Sequence, residues 1–197
     1  MIIDALEHII QIKIVYFGPA MSGKTTSLKK LFNHFGRSDN VKSIESSIGR
    51  TLFFDYGNIL FQNDDWKLKI HVYSTTGQDF YIVTRPITLK AVDGFIFVVD
   101  SQKHAYERNI ISWKEIAEYF QENLGNIPKI IAFNKQDVRD KFSKVIFLKE
   151  IDFDKLKNID ICDTIALNGE VILESFEKVL FLICEKLYGN QIILNRN

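Results

Sequence analysis

Cysteine, proline and net charge are all scarce in this chain. Of its 197 residues two are Cys and three are Pro. Two thiols, Cys162 and Cys184, are too few to staple a disulfide-dependent fold, and they fit a reducing compartment as free, mostly buried side chains. Twenty-five basic residues offset 25 acidic ones. No overall field therefore draws the protein to nucleic acid or to anionic lipid. No apolar run approaches the roughly 20 residues that cross a bilayer. The N-terminal MIIDALEHII has neither a basic n-region nor a small-residue cleavage site. Ile2 stands where N-myristoylation needs glycine, and the C-terminal LNRN carries no prenylation box. His8, His34, His71 and His104 are scattered without ligand spacing, which argues against zinc. The expectation is a cytoplasmic protein with no intrinsic membrane anchor.

What the chain does have is 46% apolar residues in periodic blocks. That suffices for one well-buried domain, expected over 1–197 with a short lead-in (1–8) and a short tail (190–197). Ile9–Phe17 alternates and then turns wholly apolar, as a strand entering a covered sheet does. Leu28, Leu31, Phe32 and Phe35 then mark one helix face, stopped at Gly36. Residues 37–50 are polar without period and read as a loop. TLFFDYGNILF and WKLKIHVY, joined through Asn63-Asp64-Asp65, make a hairpin with Trp66, Leu68, Ile70 and Val72 on one face. FIFVVD (Phe95–Asp100) and IIAF (Ile130–Phe133) have the continuous apolar character of central parallel strands. Between them Trp113, Ile116, Ala117, Phe120 and Leu124 form a helical stripe. Residues 139–153 read as loop plus helix, Ile159–Thr164 as a last strand, and Phe176–Leu187 as a last helix stopped near Gly189. Ile2, Ile3, Leu6, Ile9 and Ile10 suit a short amphipathic helix, and a frayed terminus or an extra turn of strand fits them as well. The fold class is α/β: a doubly wound, mostly parallel six-stranded sheet with one antiparallel edge strand and helices on both faces.

Gly18–Thr26, GPAMSGKTT, fits G-x-x-x-x-G-K-[ST] between a strand and a helix. Backbone N–H groups of such a loop curl around phosphates, and the helix dipole points at them. Gly18, Ala20, Met21, Ser22, Gly23, Lys24, Thr25 and Thr26 are therefore candidate nucleotide contacts. Lys24 would reach the β- and γ-phosphates, and the Thr25 hydroxyl would ligate Mg²⁺. This loop alone allows ATPases, nucleotide kinases and GTPases.

NKQD, Asn134–Asp137, follows IIAF at the end of a parallel strand and so faces the same crevice. A carboxylate at Asp137 accepts from guanine N1–H and its exocyclic amine, two donors that adenine does not present together. Hydrogen bonds to a charged group are worth about 1.5–3 kcal/mol each, so losing both separates the bases by orders of magnitude. Asn134 would brace the loop and the Lys135 stem would pack over the ring. Ala166 and Leu167 lie in TIALNGE after the last strand, a stretch that resembles the Ser-Ala-Lys loop of small GTPases, and that resemblance implies a bond from the Ala166 backbone N–H to guanine O6.

On these residues the chain resembles a small GTPase of the Ras/Arf class, closest to the prokaryotic MglA (mutual gliding-motility protein) family. The resemblance runs from about Ile12 to Leu187 through KIVYFGPAMSGKTT, GRTLFFDYG, TTGQDFYIVTRPITLKAVDGFIFVVDSQ and FNKQD. It implies that Gly49-Arg50-Thr51 is the first switch, with Thr51 a second Mg²⁺ ligand and Arg50 an arginine finger supplied in cis. Ser46 and Ser47 are weaker rivals for the metal. It also implies that Gly77 bonds the γ-phosphate of GTP and that Gln78 orients the attacking water. The implied activity is a GTP/GDP switch that hydrolyses slowly without a Roadblock-type activating protein and is read by effectors at its switch loops. Two departures matter. Ser74 stands where most small GTPases carry Asp on a Mg²⁺-bound water, and Ala20 stands where Gly is usual. A GTP-binding scaffold with negligible hydrolysis is the alternative.

Overall fold

Apolar strands form the interior of the sheet, and helices cover both of its faces. The structure, a computed structural model, describes residues 1–36, 42–45, 51–75 and 85–194, without the side chains of 42–45, 51–54, 85 and 188–194. Its strands are β1 (Ile2–Asp4), β2 (Ile9–Phe17), β3 (Lys42–Glu45), β4 (Thr51–Gln62), β5 (Lys67–Thr75), β6 (Gly94–Asp100), β7 (Lys129–Asn134) and β8 (Ile159–Asp163). The helices are α1 (Lys24–His34), α2 (Arg85–Leu89), α3 (Tyr106–Phe120), α4 (Lys144–Glu150) and α5 (Ile172–Leu194).

The sheet runs β3-β4-β5-β2-β6-β7-β8, with β1 pairing to β2. β5, β2, β6, β7 and β8 are mutually parallel and β4 lies antiparallel to β5. Those are the six expected strands. Two short ones are added, β1 and β3, each antiparallel to its neighbour. All residues of β6 and β7 are buried, as unbroken Val/Ile/Phe runs covered on both faces must be. One face packs Ile12, Ile14, Ile96 and Val98 against Leu28 and Phe32 of α1 and Phe176 and Val179 of α5. The other packs Phe95, Phe97 and Phe133 against Ile110, Trp113 and Ile116 of α3 and Phe147 of α4.

Two expectations change, and one open choice is decided. The lead-in is strand: Ile2–Asp4 pairs with Ile9–Gln11, using ladder positions of β2 that lie before its pairing with β6 begins at Ile14. Within the expected loop 37–50, Lys42–Glu45 pairs with β4; the remainder, 37–41 and 46–50, lies outside the described residues. α5 does not stop near Gly189 but continues to Leu194, through residues expected to be tail. One glycine costs a helix about 1 kcal/mol, too little to end it where apolar residues follow and no proline does. Among the described residues, no helix is long and apolar enough to cross a membrane.

Candidate functional site

The loop after β2, the last residues of β5, β6 and β7, and the loop after β8 meet at the carboxyl edge of the sheet. Gly18 opens the first loop at φ +142, and a Cβ there would lie 2.4 Å from the Val98 carbonyl oxygen. Gly23 closes it at φ +105, where a Cβ would lie 2.1 Å from Asn134 Nδ2. Both positions need glycine for space as well as for backbone conformation. α1 starts immediately after, with no side-chain cap and no acidic residue in its first turn. The positive end of its dipole therefore points into the loop, which suits an anion.

Lys24 curls back so that its ammonium donates to the carbonyls of Gly18 at 2.8 Å and Pro19 at 2.7 Å. It is 6% exposed. Carbonyl dipoles hold the charge in place over the loop, where a phosphate offers a stronger acceptor. Asn134 joins three pieces of the site. Its Nδ2 donates to the Ser22 carbonyl at 2.7 Å, and its Oδ1 accepts from Ala166 N at 2.9 Å and Thr164 Oγ1 at 3.3 Å. Asn134 thereby bridges the phosphate loop and the loop after β8. The Ala166 N–H, expected to meet a base carbonyl, donates to Asn134; contact with a base would share that proton.

Beside this bridge lies a cavity of about 180 Å³ lined by Gly23, Thr26, Lys135, Asp137, Ala166 and Leu167, among others. Met21 and Leu167 on its wall are 70% and 74% exposed. Asp137 is exposed, and no hydrogen bond or ion pair joins its carboxylate to another described residue. Lys135 sits at φ +63 with its ammonium bonded to Asp100 Oδ2 at 2.7 Å and Gln102 Oε1 at 3.2 Å. That pairing draws the charge to the base of the cavity and leaves the aliphatic stem along its side. Arg50, Gly77 and Gln78 lie outside the described residues, as does the Thr51 side chain; the Thr51 backbone opens β4.

Two carboxylates were missed in the sequence. Asp100 ends β6 at 1% exposure, with its backbone N–H and C=O both bonded to the Asn109 amide, at 2.9 and 2.8 Å. Asp55 is fully buried on β4 and accepts from Thr25 Oγ1 at 2.5 Å. Both carry a signal: Asp100 ends an otherwise apolar strand, and Asp55 falls on the inward phase of β4 with buried Gly57 and Ile59. A charge at a core-facing strand position marks a site because burying it unpaired is expensive. Directly across the ladder from Asp55 is Ser74, fully buried with a hydroxyl that has no partner among the described residues. Ser22, in the loop, has a second such hydroxyl. Hydroxyl and carboxylate oxygens are the hard donors that Mg²⁺ takes beside phosphates. With the buried Ser74 hydroxyl across the rung, the Thr25–Asp55 pair fits that ion.

The sequence model of the ADP-ribosylation factor family matches residues 2–183. The Mutual gliding-motility protein MglA of Myxococcus xanthus (strain DK1622) is 32% identical over 184 residues, covering 90% of this chain and 93% of its own. The strand–loop–helix phosphate cradle, the bridged NKQD loop and these matches agree: the chain belongs to the ADP-ribosylation factor family and is a small GTPase of the Ras/Arf-like class, close to MglA.

Proposed function

We propose that this protein is a GTP-hydrolysing molecular switch of the cytoplasm. The observation that carries the guanine assignment is the Asn134 bridge, which fixes the cavity holding Asp137 against the phosphate loop. A base and its phosphates then belong to one rigid unit. Asp137 accepts from the guanine N1–H and amine, Lys135 packs its stem over the ring, and Met21 and Leu167 flank it. Gly18, Ala20, Ser22, Gly23 and Thr26 wrap the phosphates through their backbone, and Lys24 leaves the Gly18 and Pro19 carbonyls for β- and γ-phosphate oxygens. Bound Mg²⁺ neutralises developing charge on those oxygens. Thr25 and Thr51 supply the hydroxyls that would hold it.

Hydrolysis on this reading is positioning and charge stabilisation, with no covalent intermediate on the protein. Gln78 orients the attacking water, Gly77 N–H bonds the γ-phosphate, and Arg50 stabilises the transition-state charge. Loss of the γ-phosphate frees Thr51 and Gly77, and effectors read the difference. Turnover is slow until a Roadblock-type activating protein resets the switch loops, since the Ala20 methyl crowds the γ-phosphate side of the cradle.

Binding of fluorescent GTP, GDP and ATP tests the ligand, and single-turnover hydrolysis of wild type, Arg50→Ala and Gln78→Leu tests the chemistry. GTP and GDP are expected to bind far more tightly than ATP, and both substitutions to slow hydrolysis by at least about 10²-fold. Tighter ATP than GTP overturns the guanine assignment. Turnover that is undetectable even with an activating partner replaces the switch by a GTP-binding scaffold.

A further inference from the structure

A fully buried carboxylate on an edge-side strand needs a reason, and Asp55 has a specific neighbourhood. It accepts the Thr25 hydroxyl proton at 2.5 Å. A threonine hydroxyl has one proton and two lone pairs; when the proton goes to Asp55, the oxygen can meet its other neighbours only as an acceptor or a metal ligand. Asp55 therefore fixes Thr25 as an oxygen donor rather than a proton donor. Across the antiparallel ladder, Asp55 and Ser74 are Cα partners, and directly opposite residues point to the same face with Cβ atoms about 5 Å apart. Both are completely buried, and the Ser74 hydroxyl has no partner among the described residues. One hydroxyl oriented as a donor, one buried negative charge and one unsatisfied hydroxyl thus converge at the first turn of α1.

We infer that Asp55 is the carboxylate that holds magnesium in this protein, acting through Thr25 and through water bound to the ion, with Ser74 completing the same hydrogen-bonded shell. The inference rests on the nucleotide-binding reading above. The charge that Ser74 lacks is supplied one rung across the ladder, from β4 instead of β5. This also explains why Ser74 is neutral. Two carboxylates directly opposite each other and fully buried would repel, so one would be held protonated. A single charge shared across the rung satisfies the ion without that cost. A further consequence is that the metal is tied to the strand that begins at Thr51, so nucleotide state and the start of β4 are coupled through one side chain. Asp55 is a positioning residue: it touches no reacting atom.

The experiment measures dissociation of fluorescent GDP in millimolar magnesium and after chelation, for wild type, Asp55→Asn, and Asp55→Ser combined with Ser74→Asp. Wild type is expected to release GDP much faster once magnesium is chelated. Asp55→Asn should release it about 10-fold faster or more in magnesium and respond little to chelation. The double variant, which moves the carboxylate across the rung, should regain most of the magnesium response. A wild-type response in Asp55→Asn overturns the inference, and so does a double variant no better than the single one. Should Asp55→Asn fold poorly in thermal melts, the wild type decides. With Mn²⁺ and GDP, the Asp55 carboxyl carbon resonance should broaden strongly, and an unbroadened resonance overturns the assignment. Wild type that holds ATP and not GDP overturns the guanine reading alone, because the magnesium response is then measurable with ATP.

Discussion

Two lysines are buried among the described residues, at opposite ends of one sheet, and the fold provides for them differently. Lys24 stands at the carboxyl edge, 6% exposed, with two carbonyl acceptors supplied by its own loop. Lys129 opens β7 at the other edge, fully buried, and donates to the carbonyl of Lys157 at 2.8 Å. Burial pushes its pKa down to about 8, with the charge of Lys186 acting in the same direction. A buried cation with neutral acceptors gains when an anion arrives; one held against a lone carbonyl and another lysine gains when it loses its proton. The first arrangement suits ligand binding, and the second is a cost of packing. The contrast predicts which substitutions touch function and which touch only stability.

The largest effect is expected from Lys24→Met. It removes an ammonium that would make at least two charge-assisted bonds to phosphate, each worth about 1.5–3 kcal/mol. GTP affinity should fall by about 10²-fold or more, while the melting temperature without nucleotide stays level or rises. Equal affinity in a fluorescent-nucleotide titration would remove the distinction between the two lysines.

Gly23→Ala comes next, because it tests whether the carboxyl edge is one connected unit. The added methyl meets Asn134 Nδ2, and the backbone there sits at φ +105, a conformation that costs an L-residue about 1–2 kcal/mol. The Asn134 bridge should break, lowering stability by about 2 kcal/mol and weakening GTP together with it. A destabilised variant that binds GTP normally would show that the bridge serves folding alone. Asp137→Asn is expected to be smaller and purely a matter of specificity. It trades two acceptors for one acceptor and one donor, so GTP should weaken by about 10–100-fold and xanthine nucleotides should gain. Unchanged base preference in competition assays would sink the assigned contact, with no effect on stability expected either way.

How much of this was legible in the sequence differs between the same two regions. The phosphate loop, β6, β7 and the NKQD turn each declare themselves locally, through a glycine spacing or an unbroken apolar run. The Asn134 bridge was expected in kind, because a side chain at the end of a parallel strand has one crevice to face. Asp55 was passed over because its meaning depends on register. TLFFDYGNILF reads as an ordinary hairpin strand until the ladder sets Asp55 opposite Ser74 and within reach of Thr25. β1, left as one of several readings, and β3, missed altogether, share a related reason. They are three and four residues long, too short for a period, and exist through pairing with β2 and β4 rather than by their own propensity. Gly189 misled in the opposite direction, since a local breaker does not outweigh a helix already packed along the sheet.

Lys129→Met gives the smallest effect and the sharpest test of the contrast, because it should change stability and leave binding alone. The sign follows from the two states. Below about pH 8 the lysine is protonated both folded and unfolded, and the folded protein bears the full cost of burying the charge. Between about 8 and the unfolded value near 10.4, the folded state has released a proton that the unfolded state still binds, so stability rises with pH. The whole interval corresponds to at most about 3 kcal/mol. At pH 7 methionine removes that cost but leaves the Lys157 carbonyl without its donor, a loss of about 1–3 kcal/mol. The net gain is therefore expected near 1 kcal/mol. Urea melts from pH 7 to 10 should show the gap between variant and wild type closing and then reversing as pH rises, with GTP affinity equal throughout. A gap that is constant with pH would mean that Lys129 keeps its ordinary pKa when folded, and a loss of GTP binding would place it in the same system as Lys24.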